Sequence, residues 1–257
     1  MTKTKLAIGA ALAGATLFGA IVVGFVNAGD RAERITTAFD AAQEDAIREI
    51  VRDYLLKNPE VMIESLNAYS ARERQARARD LLDSPGGFTA GANPEKAKVA
   101  VIELFDYHCG YCKRAMPLVQ DLVKSDPAVK VVFREFPILR PESEYAAKVA
   151  LASRAQGKYQ DLYFAFMDAS GVLTKERVEE IAKSKGVDFA AIEKALADPS
   201  IEEALDETHA VARDMRLDGT PVFIVASLDG DFLDVIPGFA PEAVSGAIAE
   251  AKKATKR

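Results

Sequence analysis

Cysteine and histidine are almost missing from this chain of 257 residues, which holds two of each. Structural zinc takes about four such ligands, and a disulfide-stapled scaffold takes several pairs, so neither can organise the fold. A basic excess is missing too. Lys and Arg number 33 against 39 Asp and Glu, for a net charge of −6, which lacks the clustered positive footprint of a nucleic-acid binder. Internal repeats and low-complexity tracts are absent. What remains is a globular composition, 49% hydrophobic and 28% charged, long enough for one large domain or two smaller ones.

The N-terminus bears on the compartment. Lys3 and Lys5 precede an uncharged apolar run from Leu6 to Val26, the pattern of a secretory signal. Val26-Asn27-Ala28 offers small residues for cleavage before Gly29. The run is also long enough to span a bilayer, so residues 1–28 are expected as a signal peptide or a signal anchor. Either way the rest of the chain lies outside the cytoplasm, with the positive charges left inside.

From about Arg31 to Leu82 the sequence reads as helix. Ile47, Ile50, Val51, Tyr54 and Leu55 form one apolar stripe at helical spacing. Asn58-Pro59 interrupts it, with Asn58 suited to cap a second helix and Pro59 to begin it. That helix carries Val61, Met62, Ile63, Leu66 and Tyr69, then Arg72, Arg74, Arg77 and Arg79 interleaved with Glu73 and Asp80, which reads as a solvated face. Two short amphipathic helices are not stable alone. The stretch Asp83-Ser84-Pro85-Gly86-Gly87, then Gly91 and Asn93-Pro94, has linker chemistry. A flexible joint at 83–97 favours pairing with other copies, so residues 29–82 are expected to be an oligomerisation stalk, with homo-oligomer contacts through 30–82.

Beyond the joint, Val99 to Tyr107 is an apolar strand, Cys109 to Lys124 a helix and Val129 to Phe136 a second β-branched strand. A parallel pair buried on both faces is the expected arrangement. A long helical stretch from Glu142 to about Arg216 follows, then strands near Val222–Ser227 and Phe232–Ile236, and a last helix from about Pro241 to Lys253. The fold class is α/β.

Cys109-Gly110-Tyr111-Cys112 sits where the first strand meets its helix. There the backbone N–H groups and the macrodipole favour an anion at the first sulfur. Cys109 is the expected low-pKa nucleophile, and Cys112, one turn in, the buried resolving thiol. Other uses of two cysteines fit less well. A c-type haem site needs His after the second cysteine, and that residue is Lys113; zinc would have to recruit His108 and the distant His209. Capture of a soft metal such as Cu(I) by two thiolates stays open. A permanent structural disulfide would stabilise little across so short a loop.

Phe105 to Pro117, which spans the two cysteines and has proline five residues after the second, resembles a thioredoxin-fold active site. Gly219-Thr220-Pro221 resembles that fold's loop with a cis proline facing the cysteines, and the helical insertion is similar to that of the bacterial DsbA family. Stalk, linker and CGYC together resemble the suppressor of copper sensitivity protein C (ScsC) group of periplasmic DsbA-like proteins, whose name implies copper tolerance. The resemblance implies a thioredoxin fold with a helical insertion over about 142–216, filling residues 98–257 and preceded by an α-helical stalk. It further implies that Thr220 pairs its backbone with an extended substrate, that Pro221 is cis, and that Glu103 is a buried acid relaying the proton of Cys112. Without that role Glu103 would be an ordinary outward-facing strand residue. Tyr111 would add apolar area to a substrate groove. His108 would either add positive charge beside Cys109 or face solvent as a neutral ring, and His209 would be a surface or packing residue.

One departure bears on direction. The strong oxidant DsbA has histidine between its cysteines, whereas Gly110-Tyr111 matches the periplasmic isomerase DsbC. The expected function is therefore a periplasmic thiol–disulfide oxidoreductase, soluble after cleavage or tethered through residues 6–26. It would act on exported proteins with disulfides or thiols as an oligomeric isomerase or reductase. A membrane thiol reductase would donate electrons, and neither an organic cofactor nor a metal is required. The alternatives are a monomeric DsbA-like oxidase and, in another class, a copper-binding protein using both thiols.

Overall fold

The computed structural model describes residues 39–229 and 232–255, which form two compact units dividing between Glu64 and Ser65. The expected signal segment 1–28, its tether 6–26 and the stretch 31–38 lie outside the described residues. Among those described, no helix is long and apolar enough to cross a membrane.

The N-terminal unit is built on α1 (Ala41–Lys57), opened by a capping box in which Asp40 and Gln43 each bond the other's backbone N–H. No residue of α1 is buried. The expected stripe is mostly exposed surface, with Ile50 at 68% and Tyr54 at 55% exposure and Leu55 half-buried. Asn58 differs from expectation. Its side chain donates to the Tyr54 carbonyl at 2.8 Å, as does its backbone N–H at 2.9 Å, so it closes α1. Carbonyls orphaned at the helix end provide the nearer partner.

α2 (Pro59–Asp83) runs to the threshold of a five-stranded sheet ordered β1-β3-β2-β4-β5: β1 (Phe88–Ala90), β2 (Val99–Phe105), β3 (Val129–Glu135), β4 (Val222–Ser227) and β5 (Leu233–Pro237). The expected pair β2–β3 is parallel, with Val99 opposite Val129 and Phe105 opposite Glu135, and the other pairings are antiparallel. Every residue of β2 and β4 is buried. This is why both read as unbroken apolar runs with no alternation. On one face Val99, Val101, Glu103 and Phe105 meet α3 (Gly110–Ser125), the insertion helices α4 (Pro141–Ala152), α5 (Tyr159–Asp168), α6 (Lys175–Ser184) and α7 (Phe189–Ala195), and the final α9 (Pro241–Ala254). On the other, Ile102 and Leu104 pack with Ala78 and Leu81 of α2 and with Val211, Ala212 and Met215 at the end of α8 (Pro199–Asp214).

The segment 83–97, expected as a flexible joint, is built into this sheet. β1 lies within it and pairs with β3, and Phe88 stacks on Tyr159 with ring centroids 4.4 Å apart. Its glycines allow close approach and do not confer freedom. A Cβ on Gly86 would come within 2.5 Å of Glu207 Oε2 and 2.7 Å of Arg134 Nη1, and one on Gly87 within 2.9 Å of Val132. Arg134, fully buried, explains the crowding. Nε donates to the Leu81 carbonyl at 2.9 Å, Nη1 to Glu207 at 3.0 Å, and Nη2 to the Leu81 carbonyl and the Ser84 hydroxyl. One guanidinium thus closes the end of α2 onto the sheet. The arginine run on α2 is mostly the expected solvated face, since Arg72, Arg74 and Arg77 are exposed and Arg77 pairs with Asp80 and Asp214.

Candidate active site

Chain direction places the chemistry. β2 ends at Phe105, a turn of three residues follows, and Cys109 arrives as the N-cap of α3. Asp106, buried in that turn, organises it. Oδ1 accepts from the His108 N–H at 2.7 Å and the Ser143 hydroxyl at 2.7 Å, while Oδ2 accepts from the Ile138 and Leu139 N–H groups at 2.9 Å each. A single carboxylate therefore fixes the active-site turn, the start of α4 and the loop after β3.

The sulfurs stand where the spacing predicts, as free thiols. Cys109 Sγ accepts the Cys112 N–H at 3.3 Å, in the manner of any capping side chain. Its pKa is lowered to about 5, chiefly by a hydrogen bond from the Cys112 thiol, against the effect of burial and with further help from Thr220 and the Cys112 and Tyr111 amides. Cys112 is fully buried, and its pKa is pushed far up by burial, by its hydrogen bond to Cys109 and by the charge of Glu103. Pro117 lies inside α3, whose buried side is Cys112, Ala115, Val119 and Val123. The Thr220–Pro221 bond is cis, and in the thiol form Cys109 donates to the Thr220 carbonyl at 3.2 Å. These two loops are thereby in contact across more than a hundred residues of chain.

Glu103 is fully buried, so it is not an outward-facing strand residue. Oε2 accepts from Tyr163 at 2.7 Å, while Oε1 has no hydrogen-bond partner. Burial raises its pKa to about 8, only partly opposed by Tyr163. Glu135 is a second acid of this kind, held by Tyr107 at 2.6 Å and Tyr159 at 2.8 Å and raised to about 8 by burial. Sequence reasoning misses it, because β3 also carries Lys130 and Arg134 and no single charge stands out there as Glu103 does in β2.

His108 fits neither expected role. Its side chain is buried, with Nδ1 2.8 Å from Ser143 Oγ and Nε2 accepting the Leu173 N–H at 2.9 Å. Burial lowers its pKa, and Nε2 can accept an N–H only in the neutral ring. Lys113 donates to the Ala169 carbonyl and lies 3.5 Å from that of Phe166, tying α3 to the end of α5. Tyr111 is exposed, beneath the Arg114 guanidinium at 4.1 Å. His209 stands apart from the dithiol, in ring contact with Phe136.

The buried acids carry a stability consequence. The favourable state of Glu103 and Glu135 is fully present below the ordinary carboxyl pKa and is lost as pH rises through about 8. Cys109 has the opposite sign. Its contribution is present above the ordinary thiol pKa and lost as pH falls through about 5. From about pH 7, where His108 with its lowered pKa is largely neutral in both folded and unfolded chains, up to about pH 8, the thiolate offsets one of two carboxyls in the reduced protein and cannot do so once oxidised. Stability should therefore fall with pH about twice as steeply in the oxidised form, each unmatched proton contributing about 1.4 kcal/mol per pH unit. Glu103→Gln should remove one of the falling slopes. Chemical denaturation of both redox forms across this window checks it, and parallel slopes would refute it.

Comparison with known proteins agrees with this geometry. The family described as "DSBA-like thioredoxin domain" matches residues 100–249, and "Copper resistance protein ScsC N-terminal domain" matches residues 43–76. A thioredoxin-like oxidoreductase from Silicibacter pomeroyi is 38% identical with a TM-score of 0.62, over 68% of this chain and 98% of its own. Proteus mirabilis ScsC in a transitional conformation is 26% identical with a TM-score of 0.59, over 83% of this chain and 98% of its own. The thiol:disulfide interchange protein DsbA of Bordetella pertussis is 26% identical over 133 residues, half of this chain. The chain spans less than two thirds of these curated relatives, 63% of that DsbA and 21% of a Na(+)/H(+) antiporter NhaA 3 from Salinispora tropica. With an acidified Cys109 capping α3, a buried Cys112, a facing cis proline and a helical insertion, the chain belongs to the DsbA-like thioredoxin-domain family.

Proposed function

We propose that this chain is an exported periplasmic thiol–disulfide oxidoreductase that works on proteins as an oligomeric isomerase or reductase. The observation that carries the reading is the split between the two thiols, one acidified at a helix N-terminus and one buried and held protonated. The Cys109 thiolate attacks one sulfur of a substrate disulfide. That S–S bond breaks, the second substrate sulfur leaves as a thiolate, and a mixed disulfide remains. A different substrate thiolate then attacks Cys109 Sγ, which rearranges the substrate with no net electron transfer. Otherwise Glu103 takes the Cys112 proton in the minority of molecules where it is ionised, its pKa being about 8, and the Cys112 thiolate attacks Cys109 Sγ and releases a reduced substrate. The resulting Cys109–Cys112 disulfide needs two electrons, and a membrane thiol reductase is the partner class that supplies them. Backbone groups of Thr220 beside Pro221 pair with the extended substrate, and Tyr111 offers it apolar area.

Oligomerisation rests on α1. A stripe of Ile47, Ile50, Val51, Tyr54 and Leu55, with no buried residue in the helix, leaves apolar surface of the kind a second copy covers. Reactivation of scrambled ribonuclease by the chain without residues 1–28 tests the reading. Paired Ile50→Glu and Tyr54→Glu substitutions should produce monomers in sedimentation and cut reactivation about tenfold, with exchange on a small disulfide unchanged. Brisk oxidation of reduced ribonuclease without unscrambling would overturn it in favour of an oxidase. That second reading draws on the same acid thiol, because stabilising the thiolate stabilises the reduced form.

A further inference from the structure

His108 precedes the nucleophile, and its ring has a structural use that the chemistry above does not require. An amide N–H only donates, so Nε2 accepts from Leu173 and the ring proton sits on Nδ1, donated to Ser143 Oγ. The Ser143 hydroxyl in turn donates to Asp106 Oδ1 at 2.7 Å. The hydrogen bonds therefore run in one direction, from Leu173 through His108 and Ser143 to Asp106. The last of these also holds the Ile138 and Leu139 amides.

Each segment tied to this chain carries an exposed apolar side chain at its anchor. Val172, 41% exposed, precedes the Leu173 amide, and Leu139, 50% exposed, bears one of the amides on Asp106. A single exposed leucine or valine needs no explanation. Two on separate loops, both fixed by buried polar groups to the turn that carries the nucleophile, are a binding surface in the making. The groups that acidify Cys109 are Cys112, Thr220 and the Cys112 and Tyr111 amides, and the His108 ring bonds to Ser143 and Leu173 instead.

We propose that His108 is a positioning residue for polypeptide substrates: through its bond to the Leu173 amide it holds the 169–174 loop, and with it Val172, as an apolar wall beside the Cys109 turn. This rests on the protein-disulfide reading above. The wall grips the chain that flanks a substrate disulfide and leaves the thiol's own reactivity alone.

Two variants separate the ring's bonds. In His108→Asn the shorter amide keeps a donor for Ser143 and loses the acceptor for Leu173, whereas in His108→Gln the side-chain oxygen reaches the Leu173 amide. The substrates are a cystine-bridged peptide with leucine and valine beside the bridge, and glutathione disulfide. The Asn variant should raise KM for the peptide about fivefold, the effect of one lost hydrogen bond, with kcat and the glutathione disulfide rate unchanged. The Gln variant should restore KM, and Val172→Ser should reproduce the Asn effect. An unchanged peptide KM in His108→Asn would overturn the proposal alone, as would a parallel fall in the glutathione disulfide rate. Wild-type exchange with glutathione disulfide and none with the peptide would overturn the protein-disulfide reading, and this one with it.

Discussion

Alkylation of the reduced protein should modify Cys109 alone, with a rate that rises through a midpoint near pH 5, and Cys109→Ser should bring disulfide exchange down to background. The thiolate is the attacking species, and an ordinary cysteine is only a few per cent ionised at pH 7. With its pKa at about 5, Cys109 is almost wholly ionised there. Cys112 is fully buried and held protonated, so it should stay unmodified until the protein unfolds. Cys112→Ala complements the first variant. It removes the hydrogen bond that contributes most to acidifying Cys109, so the alkylation midpoint should move up by one unit or more, to about pH 6 or above. It also removes the resolving thiol, so mixed disulfides with protein substrates should accumulate and show as non-reducing gel bands that collapse with dithiothreitol. A midpoint near the ordinary thiol value in the wild-type protein would sink the acid-thiol account. An absence of trapped species in Cys112→Ala would sink the covalent route.

Much of this site is legible in the chain because its signals are local. A C-x-x-C pair at a strand-to-helix junction is both spacing and position, and the N-cap role of Cys109 follows from where β2 ends. Glu103 stands out as the lone charge in an apolar run, and it is fully buried, with its charge acting on Cys112. Asp106 and Ser143 carry no such signal. They are 37 residues apart, and their roles come from hydrogen bonds that no local pattern encodes. His108 illustrates the same limit, since its neighbour in sequence is the nucleophile while its partners are on the insertion. The segment 83–97 was misread for a different reason. Glycine has two uses, freedom and close approach, and composition cannot separate them; only the guanidinium packed against Gly86 and Gly87 decides for the second. The apolar stripe of α1 was legible in full, because helical spacing alone determines which side chains share a face.

That same guanidinium is expected to be the costliest single side chain to lose outside the dithiol. Arg134 is fully buried in β3, and its partners are the Leu81 carbonyl, the Ser84 carbonyl and hydroxyl, and Glu207. Arg134→Met keeps the apolar stem but leaves those acceptors without a donor at the end of α2, where helix carbonyls already lack partners. Glu207 is 30% exposed and can turn to water, so the cost is that of buried acceptors left without a donor, about 1–3 kcal/mol, which in a unit of this size lowers the melting temperature by several degrees. Arg134→Lys should recover little of this, because one ammonium cannot reproduce a planar fork spanning three groups. Gly86→Val attacks the same contact from the other side, placing a branched side chain where a Cβ alone would stand 2.7 Å from Arg134 Nη1. Thermal denaturation of the full chain reads all three. The Cys109 alkylation midpoint should stay near pH 5 throughout, because the guanidinium lies on the face of the sheet opposite the dithiol. A loss under about 1 kcal/mol in Arg134→Met would place its acceptors within reach of other donors. In that case the end of α2 would be held by the apolar packing of Ala78 and Leu81 alone.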